Sequence, residues 1–413
     1  MLMKKNIKLE RALMLFILMI AGCVIYELPY LRYNYYDVLR EALNLNNTQM
    51  GFLMTVYGIV AMLGYFPSGW LADRYSIRKL LAFSLIVTGL VGFYFGTYPS
   101  YKMLILIHVI WAITTSLTYW SAMIKAVSQL GDSKEQGRLY GIFEGGRGLL
   151  PIIYGFMILA LFNKMGASQV ALKTVINVYA IISVAGGIIT LLFFKDSKNT
   201  EDSNPLLSDI VAVIKMPQVW LLAIIIFSSY VQYIAMGYIT PYFTEIFKAS
   251  VSLAAALGLI RIYALAIGAG PFAGFMADKI GSSTKVLFGA FVMIVASLVP
   301  FLIIPGDPNL IWVVIVSMVV LGTGVFITRG IYFAAIDEIN VPIKYAGAAI
   351  GFASFIGFLP EAFVYTLVGN WLDKNPGIDG YKIMFTFMII VSVIGFIACG
   401  LLLKNIKKNK SNA

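Results

Sequence analysis

The chain has 413 residues, 60% of them apolar and only 12% charged. Soluble domains average roughly 45–50% apolar and about 25% charged residues, so this composition excludes a soluble protein and indicates an integral membrane protein. The formal net charge of +11 does not indicate nucleic-acid binding, because the cations gather in segments beside hydrophobic runs. Two cysteines inside those runs and one histidine offer no metal-ligand or nucleophile pattern. We therefore predict no metal, no cofactor and no enzyme activity.

Hydrophobic runs long enough to cross a membrane recur along the chain. About 20 apolar residues in a helix span the roughly 30 Å hydrocarbon core of a bilayer. We count twelve such runs and predict an all-α membrane protein with twelve transmembrane helices. The runs cover residues 11–31, 48–68, 79–98, 103–124, 139–162, 172–194, 217–240, 253–273, 285–304, 310–335, 346–370 and 382–403.

A short polar motif stands at corresponding places in the two halves of the chain. In each copy a glycine precedes an aspartate by four residues and a cation follows the aspartate, and the copies lie 205 residues apart. The first copy comprises Gly69, Asp73, Arg74 and Arg78, and the second comprises Gly274, Asp278 and Lys279. Because this offset is about half the chain, we predict two pseudo-symmetric six-helix bundles at residues 1–194 and 216–413, joined by a cytoplasmic linker at 195–215.

The distribution of lysine and arginine predicts the orientation in the membrane. With the amino terminus in the cytoplasm, 19 of the 31 lysines and arginines fall on the cytoplasmic side and 7 on the opposite side. Cytoplasmic loops carry an excess of basic residues, so we predict that both termini are cytoplasmic. The first run is longer than the apolar core of a signal peptide, and we expect an uncleaved, multi-pass protein of the cytoplasmic membrane.

Twelve runs, a repeat after six and the paired motifs in the second-to-third and eighth-to-ninth loops resemble the major facilitator superfamily. The resemblance covers nearly the whole chain. It implies two bundles that rock about a central cavity to give alternating access. It also implies that Asp73, Asp278 and their neighbouring cations form a cytoplasmic latch. Ser76 stands where the family usually has glycine, whereas the second copy keeps Gly281.

Five cations lie within or at the edge of hydrophobic runs, where a central charge costs roughly 2.5–3.5 kcal/mol of insertion free energy. They are Arg32, Lys125, Arg147, Arg261 and Arg329. This cost favours a functional role, and we predict that the four arginines contact the substrate. Arg261 is the strongest candidate, because the roughly 20 Å of helix between it and Gly274 keeps it from the cytoplasmic surface. Arg32 and Lys125 have the alternative of extending to a membrane surface.

Three acids lie in the same runs and are predicted to pair with the cations or to carry a coupled proton. They are Glu27, Glu144 and Glu361. Glu144 stands three residues before Arg147, so on a helix the two side chains are neighbours and form a pair whose role is structural or functional.

Tyrosines recur on roughly one face of the seventh run, and the offset of 205 places Tyr238 on Tyr33, beside Arg32. We predict that Tyr33, Tyr233 and Tyr238 line the substrate site, with packing or an interfacial belt as the alternative. Glycines within the runs predict close helix contacts, because small residues let helix backbones approach. These glycines are Gly145, Gly146, Gly148, Gly268, Gly270, Gly347, Gly351 and Gly357.

Several short segments carry a narrower resemblance. The first is Leu31–Asn34. The second is Lys134–Gly137, with Lys125 nine residues before Lys134 and Arg147 13 residues after it. The third is Ala346–Gly347, which leads to Gly351–Phe352. Together they resemble the organophosphate:phosphate antiporters of the glycerol-3-phosphate type. The resemblance implies that Arg32 holds a phosphate and that Arg147 takes the place of a histidine. That group also has an arginine on its seventh helix, which is absent here; Arg261 on the eighth would substitute, as in oxalate and monocarboxylate carriers.

These features predict a secondary transporter that moves a small organic anion, a phosphate ester or carboxylate, by alternating access. Guanidinium groups suit such anions because they form bidentate hydrogen bonds with carboxylate and phosphate. The predicted counter-ion is phosphate or a proton, and we expect a monomer in the lipid bilayer that binds no nucleic acid. The alternatives are a proton-coupled exporter of cationic or amphipathic compounds and a non-transporting membrane sensor on the same fold.

Overall fold

The structure is a computed structural model that describes residues 2–131, 135–194, 212–339, 341–342 and 345–411. Over these residues the regular elements are all helical and include twelve membrane-spanning helices, which confirms the predicted fold class. The helices are α1 (Leu2–Glu27 and Arg32–Ala42), α2 (Asn47–Arg74), α3 (Ile77–Phe95), α4 (Tyr101–Ser128), α5 (Gln136–Lys164), α6 (Gln169–Phe193), α7 (Pro217–Glu245), α8 (Val251–Ile280), α9 (Ser283–Ile303), α10 (Ile311–Ile331), α11 (Ala346–Phe358 and Val364–Lys374) and α12 (Ile378–Ser411). Most of the predicted linker, residues 195–211, lies outside the described residues.

The first helix is longer than the predicted run at 11–31. The chain turns at residues 28–31 and then continues as a second helical segment, Arg32–Ala42. Pro29 lies in that turn, where its ring cannot donate a backbone hydrogen bond. The polar residues 32–36 after the turn are buried, so their polarity does not mark the end of the helix.

The chain forms two compact units. Unit 1 comprises Met1–Leu45, Leu53–Asp202 and Val251–Leu259, and unit 2 comprises Asn46–Phe52, Ser203–Ser250 and Ile260–Ala413. The first turns of α2 are therefore part of unit 2, and the first turns of α8 are part of unit 1. The bundle boundaries proposed from the sequence, at residues 194 and 216, stay a prediction.

Unit 1 packs hydrophobic side chains from α1, α3, α4 and α5 into one core. Its members include Leu18, Ile25, Leu81, Leu85, Met123 and Phe143. Part of α4, Ile113–Trp120, is a π-helix, and hydroxyl groups on this segment bond to the neighbouring helices. Thr114 pairs with Thr88 at 2.7 Å, and Thr118 pairs with Ser84 at 2.6 Å. Polar contacts of this kind hold helices together where lipid gives no hydrophobic drive.

Unit 2 includes a carboxylate that caps the first turn of α2. Asp373, near the end of α11, accepts hydrogen bonds from the backbone nitrogens of Asn47 and Thr48 at 3.0 and 2.7 Å. It also accepts from both of their side chains, at 3.0 and 2.6 Å. The exposed N–H groups of a helix start carry partial positive charge, so a carboxylate there is stabilising.

The glycine prediction holds at some positions only. An added Cβ would overlap Met19 at Gly146 and Ile226 at Gly357, so these two glycines make close helix contacts as predicted. The prediction is wrong at Gly145, Gly268, Gly347 and Gly351, where an added Cβ would meet nothing within 4 Å. It holds at Gly270, because a Cβ added at Gly330 on α10 would lie only 3.0 Å from the Gly270 Cα atom. Glycine spacing alone does not say which face of a helix meets a neighbour.

Candidate substrate site and gating loops

Arg147 on α5 is held against α1 in unit 1. Its Nε donates to the Gly22 carbonyl oxygen at 3.3 Å, and its Nη1 donates to Glu144 Oε1 at 2.9 Å. Aromatic rings surround the guanidinium group at 5.5 to 6.0 Å from its central carbon: Tyr26, Trp120 and Phe143. The arginine side chain is 19% exposed and the Glu144 side chain 58% exposed. The Nε atom of Arg147 is therefore bonded to α1, while its Nη1 atom is bonded to an exposed carboxylate.

Glu27 and Arg32 lie on either side of the break in α1 and are both buried, with 3% and 4% exposure. Tyr154 on α5 donates its hydroxyl hydrogen to Glu27 Oε1 at 2.6 Å. The Arg32 guanidinium lies 5.0 Å from the ring centre of Tyr36. Arg32 is therefore packed inside the protein rather than extended to solvent. Tyr33, predicted beside it, is also buried and stacks on Tyr30 with ring centres 5.5 Å apart.

Arg329 near the end of α10 stacks on two tyrosines of α7 in unit 2. Its guanidinium carbon lies 3.8 Å from the Tyr233 ring centre and 5.3 Å from that of Tyr230. Tyr230 in turn donates its hydroxyl hydrogen to Glu361 Oε1 at 2.9 Å. Among the described residues, the buried Nη1 atom of Arg329 has no hydrogen-bond partner. This cation is held by ring faces, and part of its hydrogen-bonding edge is unused.

Arg261 lies in a π-helical segment of α8, Ile260–Ala264, and is only 1% exposed. Its Nη2 donates to Thr240 Oγ1 on α7 at 3.1 Å. Tyr238 on the same helix is fully buried, and its hydroxyl donates to the Tyr365 carbonyl oxygen at 2.6 Å. Of the predicted tyrosines, Tyr233 thus meets an arginine, whereas the hydroxyl of Tyr238 is used in contact between helices of unit 2.

The first copy of the motif ends α2, and its aspartate pairs with α4. Lys125 Nζ lies 2.6 Å from Asp73 Oδ1 and donates to the Ala72 carbonyl oxygen at 3.4 Å. Arg74 is exposed and lies over the Trp70 ring at 4.6 Å. Arg78 is partly buried in the first turn of α3.

The second copy has a different set of contacts. Asp278 and Lys279 are exposed, and within the described part of the chain the Asp278 side chain makes no hydrogen bond or ion pair. The start of α9 is instead capped by Glu338, which follows α10. The Glu338 carboxylate accepts from the Ser282 hydroxyl at 2.8 Å and from the backbone nitrogens of Ser283 and Thr284. At Gly69 and Gly274, the glycines of both copies, an added Cβ would meet nothing within 4 Å.

The apparent replacement of glycine by Ser76 has a physical explanation. Gly281 has a φ of +68°, a left-handed conformation that ends α8, and Ser282 then caps α9 by accepting from Lys285 N. Ser76 has a φ of −57° and caps α3 by accepting from Lys79 N at 3.2 Å. Both turns have two residues, but the cap follows the aspartate by three positions in the first copy and by four in the second, because α2 ends one residue sooner after its aspartate than α8 does. The first turn needs no left-handed residue. Ser76 thus stands at the motif position of Gly281 but has the capping role of Ser282.

Sequence reasoning brought together one local pair, Glu144 with Arg147, and missed the partners that are distant in sequence. The pairing of Asp73 with Lys125 was missed, as was the capping role of Glu338. The bonds from Tyr154 to Glu27 and from Tyr230 to Glu361 each join helices more than 120 residues apart in sequence. The only signal for these bonds is a tyrosine facing an acid across a bundle, which a single sequence does not reveal.

Twelve spans in two compact units have the architecture of a membrane transporter. The family model of the Major Facilitator Superfamily matches residues 12–365. The chain therefore belongs to the major facilitator superfamily, whose members move small substrates across a lipid bilayer, and it is a transporter that catalyses no chemical reaction.

Relatives and solved structures agree with this assignment. The chain is 34% identical to the inner membrane protein YihN of Escherichia coli K12 over 402 residues, covering 95% of this chain and 96% of YihN. It is 34% identical to the inner membrane protein YqcE of the same organism over 390 residues, covering 91% of each. These relatives support a multi-pass protein of the cytoplasmic membrane.

Two solved structures share the fold at low identity. A bacterial homologue of the human lysosomal transporter Spinster, in an inward-facing and unoccupied conformation, has 14% identity and a TM-score of 0.74 over 96% of this chain and 98% of its own. A variant of the nucleoside transporter NupG has 16% identity and a TM-score of 0.73 over 95% and 99%.

Proposed function

We propose that this chain is a secondary transporter of a small organic anion, a phosphate ester or carboxylate, that works by alternating access. One observation carries the proposal: Arg329 stacks on Tyr233 at 3.8 Å, and its buried Nη1 atom has no hydrogen-bond partner among the described residues. A buried cation without a hydrogen-bond partner is costly, and an oxyanion supplies both charge and acceptors.

The stacking of Arg329 supports anion binding by its geometry. A ring face contacts the flat side of the guanidinium group and leaves its N–H edge for a ligand. Tyr230, the second ring, is held by its bond to Glu361 at 2.9 Å. The cation is thus oriented before a ligand arrives, which lowers the entropic cost of binding.

Buried cations elsewhere in the chain support the same assignment. Arg32 and Arg261 are 4% and 1% exposed, and Arg147 is held at its Nε atom by Gly22. The organophosphate-type resemblance favours a phosphate ester at Arg32. The absence of an arginine in α7, together with the burial of Arg261, favours a carboxylate. A panel of both substrate classes decides between them.

The counter-ion is phosphate or a proton in this proposal. Glu27 and Glu361 each accept a tyrosine hydroxyl, and glutamine at either position can still accept that bond. If a proton is carried, Glu27→Gln or Glu361→Gln loses accumulation driven by a pH gradient but keeps exchange of labelled substrate. If phosphate is the counter-ion, uptake depends on phosphate inside the vesicle and not on the gradient. A cytoplasmic location of both termini and a monomeric state complete the proposal.

The test is flux into proteoliposomes loaded with phosphate, with sugar phosphates, dicarboxylates and amino acids offered outside with and without a pH gradient. Arg329→Gln is expected to lower anion uptake at least tenfold. Arg329→Lys is expected to keep only part of the wild-type uptake, because lysine keeps the charge but lacks the planar guanidinium group with its paired donors. Lys173→Gln is the matched control, since Lys173 is an exposed cation on α6. Wild-type uptake by Arg329→Gln would contradict the proposal.

The alternative functions give different results in the same assay. A proton-coupled exporter moves cationic or amphipathic compounds with a pH gradient as the driving force, and its flux does not depend on added anions. A sensor binds ligand without measurable flux.

A further inference from the structure

We propose that Arg147 in unit 1 forms a subsite for the carboxylate group of a ligand, and that the Glu144 side chain competes with the ligand for this subsite. The Glu144 carboxylate occupies the guanidinium edge that the carboxylate group of a ligand would take. The inference rests on the proposed anion transport and adds a second anion-binding residue with its own occupant.

The two hydrogen-bonding sides of the Arg147 guanidinium group have different partners. Nε donates to the Gly22 carbonyl oxygen, and the surrounding rings of Tyr26, Trp120 and Phe143 limit movement of the guanidinium group. Nη1 donates to Glu144 at 2.9 Å. Among the described residues the Glu144 side chain has no other hydrogen bond or ion pair. The carboxylate can therefore leave Arg147 without breaking any further contact.

Exposure makes the pair weak enough to be displaced. The Glu144 side chain is 58% exposed, and exposed ion pairs favour the bound arrangement by only about 1.5- to 5-fold. A buried pair of this kind would instead hold the guanidinium group permanently. Arg147 lies eight residues after the start of the membrane-spanning segment Leu139–Lys164, about 12 Å along the helix and within a roughly 30 Å core. The subsite is thus at a depth where a transported ion, rather than a surface ion, would meet it.

Open space lies beside the carboxylate. Gly141 is three residues before Glu144, on the same helix face, and Gly145 follows it directly. An added Cβ at either glycine would meet nothing within 4 Å. This space lets the Glu144 side chain move aside and leaves room for a group of similar size. Because the occupant is itself a carboxylate, the subsite accepts a carboxylate of the ligand.

Tryptophan fluorescence tests the proposal directly, because Trp120 lies 5.9 Å from the Arg147 guanidinium carbon. The purified protein in detergent is titrated with sodium acetate at constant ionic strength and pH. Glu144→Gln is expected to bind acetate about two- to fivefold more tightly than wild type. Arg147→Gln is expected to lose both the fluorescence response and the acetate binding measured by calorimetry.

Glu41→Gln is the matched control, because Glu41 is an exposed acid near the end of α1 and should leave the affinity unchanged. Thermal unfolding of each variant checks that it is folded. Equal or weaker acetate binding by Glu144→Gln overturns the proposal, as does a lack of response to acetate in both wild type and this variant. If uptake depends on Arg329 but Glu144→Gln gains no affinity, this inference alone fails. If no anion is taken up at all, the proposed function fails.

Discussion

Lys125 Nζ lies 2.6 Å from Asp73 Oδ1, so the aspartate of the first motif is bound to α4 within unit 1. The Lys125 side chain is 16% exposed and the Asp73 side chain 42% exposed. The sequence leaves two roles open for Lys125: contact with the substrate, or extension of its side chain to the membrane surface. Its observed partner is the aspartate of the motif predicted to gate transport, and the four arginines stay the cations predicted to contact a ligand.

Asp73→Asn is expected to slow transport while leaving anion binding largely intact. The substitution removes the ion pair with Lys125 and leaves the arginines proposed to bind substrate unchanged. Uptake rates in proteoliposomes and acetate titration of the same preparation measure the two properties separately. Loss of acetate affinity would contradict the gating role of this aspartate.

The ion pair also predicts non-additive effects. Asp73→Asn and Lys125→Gln should each lower the free energy of unfolding by roughly 1 kcal/mol, and the double variant should lose little more than either single one. Thermal unfolding in detergent measures the three differences. Fully additive losses would mean that the two side chains do not interact in the folded protein.

The second motif copy predicts an asymmetry between Asp278 and Glu338. Glu338 accepts from the backbone nitrogens at the start of α9, so Glu338→Ala leaves these groups without their acceptor and should cost about 0.5–2 kcal/mol of unfolding free energy. Asp278 is exposed and has no such contact within the described residues, so Asp278→Ala should change stability by less than about 0.5 kcal/mol. Equal destabilisation by the two variants would show that the loop of the second copy is held in another way.

Two tyrosines of α7, both predicted to bind substrate, are expected to behave differently when substituted. Tyr233 lies under Arg329, so Tyr233→Leu removes a cation–π contact worth about 0.5–2 kcal/mol and should weaken anion binding several-fold. Tyr238→Phe removes a buried bond to the Tyr365 carbonyl oxygen and should cost about 1 kcal/mol of stability with anion affinity unchanged. Uptake kinetics and thermal unfolding distinguish them. A large rise in the substrate KM for Tyr238→Phe would restore its predicted role in binding.

How far the sequence predicts this protein depends on how local each signal is. Bilayer thickness sets the length of a spanning helix, so the twelve helices could be read from hydropathy alone. The i,i+3 spacing of Glu144 and Arg147 likewise predicts their contact. The bond from Tyr154 to Glu27 depends on how α1 and α5 rotate about their own axes. A single sequence with apolar residues on every helix face does not determine that rotation.

Adjacent glycines on α6 give the sharpest example of a feature that only packing determines. An added Cβ at Gly187 would lie 2.7 Å from Ile86 Cγ1 and 3.0 Å from the Ala82 carbonyl oxygen on α3, whereas at Gly186 it would meet nothing within 4 Å. Gly187→Ala should therefore destabilise the protein by about 1–3 kcal/mol through overpacking. Gly186→Ala should be neutral or slightly stabilising, because alanine favours a helix by up to about 1 kcal/mol over glycine. Thermal unfolding of the two variants provides the comparison, since both make the same chemical change one residue apart. Equal unfolding temperatures would mean that α3 and α6 do not approach closely at Gly187.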